Sequence, residues 1–302
     1  MLTLADLADL AEAQRQNTSI PVRSFPIGGR KFDFNRQPAI MGVINLSPDS
    51  WYRESVCLST DAAIQRAQTL AAQGADLVDV GAESSLAHAA LIDEKTQLGR
   101  LVPAVRGLAE SKVPVSIETY HPRVAEGCLA AGAAVLNLTG PANAREIYRI
   151  ARDFDAAVII CHVQGDHVRA VGDLDLSVDP IGAMKDFFER QIENASRAGL
   201  EKLVLDPGLG FYYRNLGDSA IRVRHQVHAF LNTFRLRALG YPVCNALPHA
   251  FEYFRDEVRS AEPFFAVLAA LGRTDILRTH EVPRVRAVLE TLRHCGPSER
   301  PD

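Results

Sequence analysis

Apolar and polar positions along this chain alternate on two scales. Short apolar runs of strand length are separated by longer stretches whose apolar residues recur at helical spacing. The runs are AIMGVIN (39–45), DLVDVG (76–81), PVSIE (114–118), VLNL (135–138), AAVIICH (156–162), KLVLDP (202–207), YPVCNAL (241–247) and DILRTH (275–280). Seven amphipathic stretches lie between them, including DAAIQRAQTLAAQGA (61–75) and PRVAEGCLAAGA (122–133). An eighth, PRVRAVLETLRH (283–294), follows the last run. Several of the stretches end in glycine (Gly74, Gly132, Gly199, Gly240), as helix C-caps do. Nearly continuous apolar strands alternating with helices predict a parallel sheet covered on its outer face. Eight such units predict a (β/α)8 barrel. A doubly wound sheet would carry a Gly-rich first turn, and the first run here leads instead into NLSPDSW.

Before the rhythm begins, leucines at 4, 7 and 10 predict a short helix over 3–16. The stretch SFPIGGRKFDF (24–34) alternates around Gly28-Gly29 and predicts a β-hairpin. The expected organisation is therefore an α/β chain. A helix-and-hairpin extension covers 1–36, the TIM barrel 37–295 and a tail 296–302.

In such a barrel the chemistry sits at the C-terminal ends of the strands, and here those ends are unusually polar. They carry Asn45, Asp79, Glu83-Ser84-Ser85, Glu118, Asn137, His162 with Gln164, Asp206, Asn245, and Arg278 with His280. Each has an ordinary reading on its own: Asn45 as a turn cap, His162 as a satisfied core histidine, Asp206-Pro207 as the start of a loop. Eight polar strand ends together are harder to assign to packing, because barrel interiors are normally apolar. Carboxylates such as Asp206 accept paired N–H bonds from an amidine-like edge, and Asn137 both donates and accepts. The set suits a flat, nitrogen-rich heterocycle. Arg278 and His280 end the last strand, where barrels often hold phosphate.

Composition narrows the field. The chain has 302 residues, 47% hydrophobic, with a formal net charge of −4. Nothing in it suggests a nucleic-acid or anionic-membrane surface. Five cysteines at 57, 128, 161, 244 and 295 show no CxxC spacing. They are expected as free thiols, most of them buried, in a reducing compartment. The N-terminus lacks the basic start and apolar core of a secretory signal, and no apolar run approaches a membrane span; the expected location is cytoplasmic. A metallohydrolase built on His162 and His167 lacks a His-x-His strand or an HExxH helix, and no GxSxG elbow is present.

Read together, these motifs resemble dihydropteroate synthase. IGGRKFDFNRQPAIMGVINLSPDSW (27–51) is similar to that family's opening hairpin, first strand and Ser-Pro-Asp-Ser loop. DLVDVGAESS (76–85), VSIET (115–119), HVQG (162–165), LDPGLGF (205–211) and RTHEV (278–282) follow in the family's order. The resemblance implies a transferase of folate biosynthesis, joining p-aminobenzoate to a 6-hydroxymethyl-dihydropterin pyrophosphate. It implies a substrate-binding set of Ser85, Glu118, Asn137, His162, Gln164, Asp206, Phe211 and Asn245. It also implies catalytic roles for Asn45, Arg278 and His280, with Mg²⁺ on Asn45, the Arg and His on the phosphates, and a homodimer. The chain differs from the family pattern at Glu118, at Leu86, in NALPHAFEY after the seventh strand, in WYRESVCLS, and at Pro263-Phe264-Phe265. Two alternatives stay open at this point. One is a pterin- or folate-binding paralogue with another second substrate, including methyl transfer. The other is a non-catalytic barrel, with Phe251, Tyr253, Phe254, Phe264 and Phe265 as an interface. His249 reads as a solvated loop residue.

Overall fold

A computed structural model describes residues 1–50, 52–84, 91–110, 113–168, 170–175, 178–211 and 213–295. Two short antiparallel strands, β1 (Pro26–Ile27) and β2 (Arg30–Lys31), form the hairpin. Its two-residue turn is Gly28-Gly29, with φ of 54° and 77°. Both residues thus take the left-handed conformation that a tight hairpin turn demands and that glycine adopts without strain.

Eight parallel strands follow: β3 (Ala39–Asn45), β4 (Leu77–Gly81), β5 (Val115–Glu118), β6 (Val135–Leu138), β7 (Ala157–Cys161), β8 (Leu203–Asp206), β9 (Cys244–Ala246) and β10 (Ile276–Thr279). Each pairs with its neighbour in sequence, and β10 returns to β3. The ring closes between β8 and β9 through the Leu205–Val243 bridge, with Leu205 N–H donating to the Pro242 carbonyl at 2.9 Å. The fold is a (β/α)8 barrel, and every one of its strands lies within the corresponding apolar run.

Helix α1 (Leu4–Ala13) precedes the hairpin and buries no residue fully. Around the barrel run α2 (Thr60–Ala72), α3 (Glu94–Ala109), α4 (Pro122–Ala130), α5 (Ala144–Asp153), α6 (Pro180–Arg197), α7 (Ser219–Leu231) with the short α8 (Thr233–Leu236), α9 (Phe251–Phe254), α10 (Ala261–Leu271) and α11 (Val282–Cys295). Side-chain caps start several of them. Asp218, for example, accepts from the N–H groups of Ala220 and Ile221 at the head of α7.

The core has two layers. An outer one packs strands against helices through residues such as Ile40, Val78, Ile117 and Leu136. An inner one fills the barrel with Met41, Leu77, Val135, Ile159, Val204 and Ile276. Val22, Ile27, Phe32 and Phe34 of the N-terminal segment belong to that same inner cluster, so the hairpin region plugs the bottom of the barrel. Beside it the buried Arg237 faces Asp275 at 3.4 Å and donates to Asn35 at 3.0 Å. The opposite, C-terminal end stays open. Cys57, Cys128, Cys161 and Cys244 are buried free thiols and Cys295 is exposed. Among the described residues no helix is long and apolar enough to cross a membrane. Ser85, Leu86 and the tail 296–302 lie outside the described residues.

Candidate active site

A strand alternates its side chains between the two faces of the sheet, so each barrel strand sends only alternate residues inward. At the C-terminal mouth the inward residues are polar. Asn45, Glu118, Asn137, Asp206, Phe211, Arg278 and His280 all line one cavity there.

The floor of this cavity is a connected polar network. Arg278 of β10 reaches across the barrel, its Nε 2.7 Å from Asp79 Oδ2 and an Nη 3.0 Å from Glu118 Oε2. Asn137 of β6 donates to the same Asp79 oxygen at 3.1 Å. The Cys161 thiol donates to Asn137 Oδ1 at 3.2 Å. Asp206 at the end of β8 accepts the Gly208 N–H at 2.7 Å. Asp79 and Asp206 are buried. Removing Asp206 from water disfavours its charged form. Burial pushes the Asp206 carboxyl up to about 6, against the pull of the Gly208 N–H and Arg278. Burial likewise pushes Glu118 up to about 7, with Arg278 opposing and Asp79 and Glu83 reinforcing the rise. Arg278 itself is held firmly charged; burial works against it, but Asp79 and Glu118 prevail.

Gly208 makes the turn after β8 possible. Its φ is +74°, and a Cβ there would lie 2.2 Å from the His162 carbonyl oxygen. Beyond it Phe211 forms part of the cavity wall. At the rim, Asn45 Nδ2 donates to Ser55 Oγ at 2.6 Å, which makes Oδ1 the atom this amide offers to a hard cation. Glu83 also lines the cavity, accepting the Tyr120 hydroxyl at 2.8 Å.

On the side of β9 and β10 lies a second cluster. His280 Nδ1 and His249 Nε2 each stand 2.8 Å from Glu262 Oε1. Glu262, in the first turn of α10, is fully buried. Its other oxygen accepts the Thr279 hydroxyl and the backbone N–H groups of His280 at 2.8 Å and Glu281 at 3.1 Å. Burial alone would raise the Glu262 carboxyl; the imidazoles of His280 and His249 overturn this and hold it well below the usual carboxylate range. Tyr52 stacks on His280 at 4.5 Å.

Four sequence expectations are corrected. His162 faces away from the cavity, edge-on to Phe187 of α6 at 5.0 Å, and burial lowers its pKa to about 4. The residues that β7 and the chain beyond it send inward are Ile159, Cys161 and Val163, so His162 falls on the outer face. Asn245 is likewise outward and fully buried, donating to Thr233 Oγ1 and Thr274 Oγ1 at 3.0 and 2.7 Å. Its neighbours Cys244 and Ala246 face the barrel and cavity. His249 is not a solvated loop residue but a mostly buried partner of Glu262. Gln164 lies beyond β7, half-buried and away from the cavity lining, its backbone N–H on the Tyr213 hydroxyl at 3.3 Å. Ser85 lies outside the described residues. Glu262 lies outside the polar strand ends from which the site was expected. Its buried charge at the head of an apolar helix (AEPFFAVLAAL) is the signal that marks it.

Comparison with known proteins bears on this site. Residues 41–247 match the family model described as "Pterin binding enzyme". The chain is 30% identical to the dihydropteroate synthase type-2 of Escherichia coli, over 87% of this chain and 98% of that protein. It is 29% identical to the dihydropteroate synthase of Synechocystis, over 85% and 90%. The solved structure of Xanthomonas albilineans dihydropteroate synthase with 4-aminobenzoic acid superposes with a TM-score of 0.77. It is 25% identical, covering 93% of this chain and all of that one.

Proposed function

We infer the reaction from a fixed premise: the chain belongs to the dihydropteroate synthase family of pterin-binding enzymes. It joins p-aminobenzoate to a 6-hydroxymethyl-dihydropterin pyrophosphate in folate biosynthesis. The bond from the pterin methylene to the pyrophosphate oxygen breaks and its electron pair leaves with pyrophosphate. The arylamine lone pair forms the new C–N bond, and the amine then loses a proton.

The observation that carries the reading is the desolvated Asp206 carboxylate beside Asn137 at the cavity floor. A buried carboxylate with a raised pKa gains most from a ligand that brings N–H donors to it. In this reading the pterin edge lies on Asp206 and Asn137, and Phe211 packs beside the ring. Glu118 and Asp79 hold Arg278 against the ring, so its guanidinium offers charge to the developing leaving group only from within that network. His280 stands nearer the rim, where the pyrophosphate lies. Electrostatic stabilisation of the departing anion and of the pterin cation is the main catalytic effect.

A Mg²⁺ ion, with Asn45 Oδ1 as its protein ligand, supplies charge neutralisation when bound; magnesium commonly takes one or two protein oxygens alongside phosphate oxygens. The protein acts in the cytoplasm and as a homodimer. Phe264 and Leu271, seven residues apart on α10 and both exposed, are the apolar surface this helix offers to the dimer; light scattering on the eluted peak tests it. The reaction is tested by incubating the purified chain with Mg²⁺, the pterin pyrophosphate and p-aminobenzoate. Dihydropteroate and pyrophosphate are expected in equal amounts; release of neither above background would overturn the assignment.

A further inference from the structure

We infer that His249, Glu262 and His280 form a binding site for a divalent first-row transition-metal ion in the cavity wall. The three ligand atoms come from separate elements: the loop after β9, the head of α10 and the end of β10. His249 Nε2 and His280 Nδ1 each lie 2.8 Å from Glu262 Oε1, and all three atoms fall within 4.8 Å of one another. An ion that binds imidazole nitrogen and carboxylate oxygen at about 2.0–2.2 Å sets adjacent ligand atoms roughly 3 Å apart. The two 2.8 Å contacts to Glu262 lie within a few tenths of an ångström of that spacing. Two imidazoles and one carboxylate suit zinc, iron, cobalt or nickel, and poorly suit magnesium or calcium.

The surroundings support the same reading. Ligating carboxylates are normally fixed by further hydrogen bonds. Here Glu262 Oε2 takes the Thr279 hydroxyl and two backbone N–H groups, which leaves the carboxylate no freedom to turn Oε1 away. Tyr52, stacked on His280, fixes that ring as well. Charge points the same way. Among the described residues the ion pairs of Glu262 are with His249 and His280 alone. A fully buried carboxylate is costly unless its charge is balanced, and a divalent ion on Oε1 would balance it. Because His249 and His280 both line the cavity, the ion's remaining coordination positions would be directed at whatever occupies it. The site does not involve Asn45, the residue assigned above to Mg²⁺.

The test needs no substrate, so it is independent of the reaction proposed above. Chelator-stripped protein is titrated with Zn²⁺ by calorimetry and with Co²⁺ by visible absorption. One equivalent per chain is expected, with a cobalt spectrum of mixed nitrogen–oxygen ligation. Glu262→Gln and His249→Ala should each weaken binding at least tenfold, while Asn45→Ala should leave it unchanged. His249 lies in a loop, so its variant provides the test if Glu262→Gln fails to fold. Absence of saturable binding to the stripped wild type overturns the site. So does equal affinity in folded His249→Ala, or loss of binding in Asn45→Ala.

Discussion

Asp206 has opposite effects on binding and on stability. Its carboxyl is held near 6 in the folded chain by burial and titrates near 4 in an unfolded one. Between those values the folded state holds the proton and the unfolded state has released it, so stability falls as pH rises through this window. The two-unit difference corresponds to about 3 kcal/mol, fully expressed above pH 6. The wild-type pH profile does not isolate the effect. His162 and His225, both lowered by burial to about 4, contribute with the opposite sign over much of the same range. The Asp206→Asn variant does isolate it. Relative to wild type its stability should rise by about 2–3 kcal/mol from pH 4 to pH 7, read by urea unfolding at each pH, while pterin affinity falls. A flat difference would contradict the burial argument. Arg278 presents the converse case. Arg278→Met leaves Asp79 and Glu118 facing one another without a cation, and a loss of about 3–5 kcal/mol is expected in the same measurement.

At the scale of elements, the strand runs were legible because parallel strands buried on both faces read as continuous apolar segments. That same continuity hid the phase. In AAVIICH nothing distinguishes inward from outward positions, and a shift of one residue exchanges every side chain between faces. Asn137 and Asp206 fell inward, His162 and Asn245 outward, and no local feature of the sequence separated them. The cluster on Glu262 was hidden differently: its partners lie 13 and 18 residues away and meet only when β9, α10 and β10 are packed. Glycines, by contrast, marked their elements well. Gly208 permits the turn that delivers its N–H to Asp206. Gly208→Ala would place a methyl against the His162 carbonyl, a cost of about 1–3 kcal/mol. The loop must shift to relieve it, so calorimetric pterin affinity is expected to fall together with the melting temperature. An unchanged affinity would show that the turn does not position Asp206.

For the whole molecule, the question is what closes the bottom of the barrel. The inner core does not end at the strands; it runs on into Val22, Ile27, Phe32 and Phe34. Phe32 and Phe34 stack at 5.8 Å, with Phe25 edge-on to Phe34 at 5.9 Å. This segment is also tied by polar contacts. Asn35 bonds Val22 through both its amide atoms, at 2.9 and 2.7 Å, and accepts from Arg237. Helix α1, by contrast, lays only the half-buried Leu7 and Leu10 against the core. The N-terminal extension thus has two parts with different energetic weight. Removal of residues 1–17 takes away α1 while keeping Thr18, whose carbonyl accepts from Arg273 at 2.5 Å; a loss of about 1–3 kcal/mol is expected, from two partly buried leucines. Removal of residues 1–36 strips four buried apolar side chains from the end of the barrel, each worth about 1.5–3 kcal/mol. The sum is comparable to the whole stability of an ordinary domain. The shorter truncation should therefore unfold cooperatively in urea with a slightly lower midpoint, and the longer one should show no cooperative transition. Equal midpoints for the two would mean that the hairpin segment covers the barrel without supporting it.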